Sequence, residues 1–291
     1  MQQAEAKYLE LIGSNYEIGY TLGKMGNCIP PLKKFLTSGS GFDVKAASLA
    51  EGLFDRWCPG LNEEIRGLAD ALGVRPMQIT FYAMTYLKPG CSQMVLLPGL
   101  TENGHTMLAR SYEFSHQCED FTLARTSVRG KYTHLSSTVL QLGRDEGMNE
   151  HGLGITMSSC GFPVGAPENM RRPALRGLQF WAVIRTLLEN CKDVSEALSF
   201  IKGMPIAYNI NMLLADVKGQ AALVETMDGK LAVKQGDGTG FLHATNHVLL
   251  PELKQYEETV MRNSVSKVPD DTAISGRRKG HKGGGYQNPA A

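Results

Sequence analysis

Lys88-Pro89-Gly90-Cys91-Ser92-Gln93-Met94-Val95-Leu96-Leu97 is the stretch on which the fold turns. Lys-Pro-Gly is a loop signal, because proline ends a helix and glycine accepts backbone angles closed to other residues. Before it, apolar residues recur at helical spacing. After it, they come in short runs separated by turn residues. Cys91 stands at the changeover, heading the first β-like run, Ser92 to Leu97.

Working back from this point, residues 1–88 read as mostly helical. Tyr16-Glu17-Ile18-Gly19-Tyr20-Thr21-Leu22-Gly23 predicts a short helix with a closely packed glycine face. Ala46 to Trp57 and Glu63 to Leu72 carry helical spacing, and Gly73 is a stop. Arg75-Pro76 then starts a helix toward Tyr86, with the proline in its first turn. Working forward, Glu102-Asn103-Gly104 predicts a hairpin turn, and His105 to Phe114 the return strand. Leu123 to Val128, Thr133 to Leu140 and Leu153 to Ser159 continue the strand series. Two helices follow, Leu175 to Glu189 and, after the N-cap Asp193, Val194 to Lys202. Strands return at Ile210 to Asp216, Ala221 to Thr226, Leu231 to Lys234 and Phe241 to Asn246. Blocks segregated in this way predict an α+β fold with helices layered on antiparallel sheets.

Bulk properties exclude several classes. The chain has 291 residues and a formal net charge of +1, which favours neither nucleic acid nor an anionic membrane as partner. No apolar run approaches the roughly 20 residues of a membrane-spanning helix. The N-terminus is charged and lacks the apolar core of a signal peptide, so a cytoplasmic location is expected. The six cysteines form no CxxC pair and no zinc spacing, so no metal is expected. Most read as small buried hydrophobes.

Four pieces carry chemistry: Gly90-Cys91-Ser92, Ala109-Arg110-Ser111-Tyr112-Glu113-Phe114, Gly147-Met148-Asn149-Glu150-His151-Gly152-Leu153, and Ala244-Thr245-Asn246-His247. Each is weak alone; their order and strand–turn–strand context are more telling. In this order they resemble the acyl-coenzyme A:6-aminopenicillanic acid acyltransferase family. That C45 peptidase-like group is related to choloylglycine hydrolases within the N-terminal-nucleophile hydrolases. The resemblance runs from about residue 12 to residue 266. It implies a four-layer αββα fold and a precursor that cleaves itself between Gly90 and Cys91. Residues 1–90 would then form one bound fragment and Cys91 would head the β-rich stretch 91–266.

The chemistry of such a site is physically sensible. A free thiol has a pKa of about 8.5 and needs a base. Cleavage before Cys91 would release an α-amine of pKa about 7.7–8 on the same residue. That amine can take the thiol proton and later protonate the leaving group. Cleavage itself would be an N-to-S shift: the Cys91 sulfur attacks the Gly90 carbonyl and water hydrolyses the resulting thioester. Gly90, with no side chain, permits the close approach. No papain-like Cys/His/Asn signature competes.

By resemblance, Arg110 lies in the pocket and Glu113 hydrogen-bonds near the new amine. The family has Arg-Asn-x-Asp where this chain has Arg110-Ser111-Tyr112-Glu113. Asn246 would be the oxyanion donor, a role worth roughly 3 kcal/mol in comparable sites. Asn149 would shape the pocket or help polarise the acyl group. The bland readings are a buried structural cysteine, a solvated ion pair at a strand end, and turn-forming asparagines. His151 and His247 read as structural.

The expected partner is a small-molecule amide or acyl substrate, with acyl-coenzyme A a candidate acyl donor, and no cofactor. The alternative is a truncated, non-catalytic or unprocessed member of the same fold. Residues 267–291 are rich in glycine and basic residues and have no apolar period, so they are expected to be disordered. Codons can be chosen so that removing one base at the Lys267 codon restores an amphipathic helix. The tail is therefore read as frameshifted, and the fold as incomplete at its C-terminus.

Overall fold

The structure, a computed structural model, describes residues 6–28, 33–34, 36–37, 44–79, 91–113, 121–139, 141–161, 174–237, 240–257 and 262–266. It opens on a strand, β1 (Lys7–Gly13), followed by α1 (Asn15–Asn27), α2 (Val44–Trp57) and α3 (Leu61–Leu72). Six strands follow: β2 (Ser92–Leu96), β3 (Met107–Ser111), β4 (Thr122–Val128), β5 (His134–Val139), β6 (Gly143–Asn149) and β7 (Gly154–Ser159). Helices α4 (Phe180–Asn190) and α5 (Val194–Ile201) lead into β8 (Ile210–Ala215), β9 (Ala221–Met227), β10 (Lys230–Gln235) and β11 (Phe241–Ala244). Short helices α6 (Pro251–Lys254) and α7 (Arg262–Ser266) close the described chain.

Eight strands form one sheet in the order β1-β4-β5-β6-β7-β8-β9-β10, and three form a second in the order β11-β2-β3. Among the described strands, only β1 enters its sheet parallel to its neighbour, β4. Helices α1, α3 and α4 cover one face of the large sheet around Ile18, Leu68, Trp181 and Leu187. The small sheet packs on the other face, with Val95 and Leu242 against Leu213 and Leu223. Among the described residues, helices, sheet and sheet give three of the four layers of the αββα expectation.

Helix α1 begins where the sequence dictates. The Ser14 hydroxyl accepts from the Glu17 amide, and the Glu17 carboxylate accepts from the Ser14 amide at 2.7 Å, a reciprocal cap. The glycine face is real. A methyl group at Gly19 would sit 1.9 Å from the Glu64 carbonyl oxygen, and one at Gly67 would sit 2.2 Å from that of Tyr16. The backbones of α1 and α3 therefore touch.

Three expectations need correction. The start of the chain, read as helical, contributes strand β1. Its apolar residues alternate weakly, and its partner β4 lies beyond any local window. Strand β6 was not expected, because glycines and three consecutive charges, Arg144, Asp145 and Glu146, look like loop. Pairing with β5 and β7 makes them strand. The helix expected from Pro76 is a single 3₁₀ turn, Pro76–Gln78, and the rest of that prediction, from Thr80, lies outside the described residues. Strands β2 and β3 do pair antiparallel, Ser92 with Ser111 and Leu96 with Met107, but through a longer loop containing a 3₁₀ turn at Pro98–Leu100. Gly90 and residues 267–291 also lie outside the described residues.

Candidate active site

Side chains alternate across a strand, so Cys91, Gln93 and Val95 share the inner face of β2, toward the large sheet. All three are buried, Cys91 to 5% exposure. Gln93 lies opposite Arg110 across the β2–β3 ladder. It donates to Ser158 Oγ at 3.0 Å and to the Asn211 carbonyl at 2.9 Å, and accepts from Thr156 Oγ1 at 2.6 Å. These bonds fix the floor beneath the strand that carries the cysteine.

Arg110 is brought to Cys91. Its Nη2 lies 3.5 Å from Sγ and 3.7 Å from Met157 Sδ. Its Nη1 donates to Asp145 Oδ2 at 2.8 Å and to Glu146 Oε2 at 3.1 Å. The Tyr112 ring lies 4.4 Å from the guanidinium carbon. Arg110 Nε is buried with no hydrogen-bond partner among the described residues. Burial opposes the charge of Arg110, but Asp145, Cys91 and Glu146 outweigh it and push the pKa up. A fixed positive charge therefore stands at the sulfur.

The other expected residues are placed differently. Glu113 is exposed, two residues beyond the end of β3. Asn246 is buried just after β11, and its Nδ2 donates to the Ser159 carbonyl at 3.0 Å and Ser159 Oγ at 3.1 Å. Asn149 ends β6, four residues along from Asp145 and so roughly 13 Å down the strand. Its Nδ2 donates to the Leu188 and Cys191 carbonyls, and its Oδ1 accepts from the His151 and Leu153 amides. It satisfies the C-terminal turn of α4 and holds the following β-turn. The two histidines have structural partners. His151 packs edge-on to Tyr132, with ring centroids 4.4 Å apart. His247 Nδ1 lies 2.8 Å from Ser264 Oγ, and burial pulls its pKa down.

Asp145, Glu146 and Ser137 were missed by the sequence reading. The available signal was three charges in a row between two strand runs, where a solvated loop is the easier reading. Arg110 and Glu146 also border a cavity of about 610 Å³, which extends past Ser137 and Thr156 to Leu123, Leu135, Met148 and Val217.

The chain is similar to solved structures over part of its length. One is the N-acylethanolamine-hydrolyzing acid amidase ortholog of Caenorhabditis elegans, at 16% identity and a TM-score of 0.42, covering 58% of this chain and 74% of that one. A second is a mutant of conjugated bile acid hydrolase from Clostridium perfringens, at 19% identity and a TM-score of 0.39, covering 57% of each. A third is penicillin V acylase from Agrobacterium tumefaciens, at 20% identity and a TM-score of 0.31, covering 55% of this chain and 46% of that one. The chain thus spans about half the length of the latter two. No curated protein matches it in sequence. The sequence profile of the acyl-coenzyme A:6-aminopenicillanic acid acyl-transferase family matches residues 100–270, more than half of the chain. The match runs from just before β3 past α7, taking in Arg110, Asp145 and Asn246, and the chain belongs to this family.

Proposed function

We propose that the chain is an amide hydrolase or acyltransferase that cuts itself before Cys91 and works through an acyl-Cys91 thioester. One observation carries the reading: a buried thiol at the head of a strand, with a locked guanidinium 3.5 Å from its sulfur. Cutting the Gly90–Cys91 bond frees an α-amine on the residue that holds the thiol. The amine takes the thiol proton, the sulfur attacks the substrate carbonyl, and the protonated amine gives its proton to the leaving amine. Water then attacks the thioester for hydrolysis, or an acceptor amine for acyl transfer. With a thioester-type donor such as acyl-coenzyme A, the leaving group is a thiol instead.

In this account residues 1–90 remain bound as a separate fragment, and Cys91 begins the working chain. Arg110 steadies the negative charge on sulfur. Asn246 supplies the oxyanion donor by turning one N–H from Ser159 toward the substrate. Glu113 pairs with the new amine. Asn149 acts at a distance, by fixing the end of β6. The apolar side of the cavity beside Arg110 receives the carbon skeleton of the substrate.

A second reading is favoured by one observation: Cys91 is only 5% exposed in the uncut chain. An unprocessed member of the family would keep it so and stay inactive. Incubation with p-nitrophenyl acyl esters, followed by peptide mass mapping, tests the active reading. It expects a hydroxylamine-sensitive acyl adduct on Cys91 and none in Cys91→Ala. Acylation confined to the exposed Cys28 would contradict it.

A further inference from the structure

The geometry points to Asp145 as the residue that positions Arg110 against Cys91, through a bulge in β6. The inference rests on the reading of Cys91 as the nucleophile and adds a residue to it. Along the β5–β6 ladder Ser137 pairs with Glu146, but Thr138 pairs with Arg144. Asp145 is the extra residue between them. In a regular strand Asp145 and Glu146 would point to opposite faces. The bulge re-aims the backbone, so both carboxylates reach one guanidinium.

The two carboxylates do different work. The Asp145 side chain is only 2% exposed, and its two oxygens are divided. Oδ1 accepts from Ser137 Oγ at 2.6 Å, which fixes the carboxylate's rotation, and Oδ2 accepts from Arg110 Nη1 at 2.8 Å. The guanidinium is planar, so holding Nη1 also sets where Nη2 points, and Nη2 points at the sulfur. The Glu146 side chain is 30% exposed, makes the longer contact of 3.1 Å and borders the cavity. The chain Ser137–Asp145–Arg110–Cys91 is therefore the fixed arm, and Glu146 is a secondary neutralising contact. Among the described residues, the charged groups facing the thiol are Arg110 from β3 and, behind it, Asp145 and Glu146 from β6. Strand β7 contributes uncharged Met157, whose Sδ lies 3.7 Å from the same Nη2.

The test is the thiolate absorbance near 240 nm, titrated against pH in the full-length chain. Each protein is measured against its own Cys91→Ala counterpart, so only Cys91 contributes. It needs neither turnover nor self-cleavage, so it can fail while the proposed activity stands, and the reverse. Ser137→Ala removes the bond that orients the Asp145 carboxylate and keeps every charge, so it is expected to lower the thiolate population at fixed pH by about threefold or more. Asp145→Glu, which keeps the charge and displaces the carboxylate, should act in the same direction, and Glu146→Asp should change the population by less than about threefold. An unchanged population in folded Ser137→Ala and Asp145→Glu, or an equal loss in Glu146→Asp, would overturn the assignment. If one of the first two variants does not fold, the other decides by the same criterion.

Discussion

The buried cysteines divide by what lies next to the sulfur. Burial pushes the thiols of Cys58 and Cys191 up to about 12, with Glu189 adding to it at the first and Glu196 at the second. Cys160 is raised well above the ordinary thiol range by burial, with Glu225 and Glu257 acting in the same direction. These three stay protonated at neutral pH and behave as hydrophobes. Cys91 instead faces a guanidinium. Native alkylation at pH 7 should therefore label exposed Cys28 quickly and leave Cys58, Cys160 and Cys191 unmodified, as read by peptide mass mapping. Labelling of Cys58 as fast as Cys28 would show that the helix layer opens. Cys91 and Arg110 could be picked out in the sequence because each sits in a short motif with chemical meaning. Asp145 could not, since only the bulge aims it at Arg110. Asn149 was conspicuous as part of a motif, but its amide is taken up by the end of α4. The function of a side chain depends on partners that a local window does not contain.

At the scale of elements, the contact of α1 with α3 depends on having no side chain at Gly19 and Gly67. Gly19→Ala places a carbon against the backbone of Glu64, which cannot move aside without shifting the helix. A loss of about 1–3 kcal/mol is expected in guanidinium denaturation. Gly52, in α2, has nothing within 4 Å of such a carbon. Gly52→Ala should be neutral or gain about 0.5–1 kcal/mol from helix propensity. Equal losses in the two variants would mean that the close crossing is not what the glycines serve. The glycine face was legible because the spacing of Gly19 and Gly23 is itself helical. Strands β1 and β6 were not. The first is specified by its parallel partner, and the second by charges whose burial is repaid only in the assembled sheets.

At the scale of the molecule, the segment before Cys91 is tied to the rest by more than the peptide bond. Strand β1 pairs along its length with β4. Glu64 of α3 meets Arg185 of α4 at 2.7 Å, fully buried. Lys131 Nζ donates to the Pro59 carbonyl at 2.6 Å, and Phe54 packs edge-on to Trp181. Removing one partner of such a buried pair costs about 3–5 kcal/mol, so Glu64→Gln should loosen the two parts in denaturation experiments.

The same network makes stability depend on pH. Burial alone would raise Glu189, but Arg185, His134 and Lys131 hold it well below the ordinary 4.5. Burial pulls His134 below the ordinary 6.5. Both are depressed in the folded state. Their contributions are complete above those ordinary values and are lost as pH falls through the folded ones. Glu225, raised by burial, acts in the opposite sense but with the smaller shift. The denaturation midpoint should therefore begin to fall below pH 6.5 and fall faster below 4.5. A midpoint flat from pH 7 to 4 would contradict this.

Everything proposed for the site depends on one event, a cut before Cys91 that leaves the two pieces assembled. The most direct measurement is intact-mass spectrometry of the purified protein under denaturing conditions, beside Cys91→Ala, with native gel filtration of the same samples. Two masses are expected, starting at Met1 and at Cys91, that elute together natively, and one uncut mass in the variant. A single full-length mass in both proteins would contradict it and leave the unprocessed reading in its place.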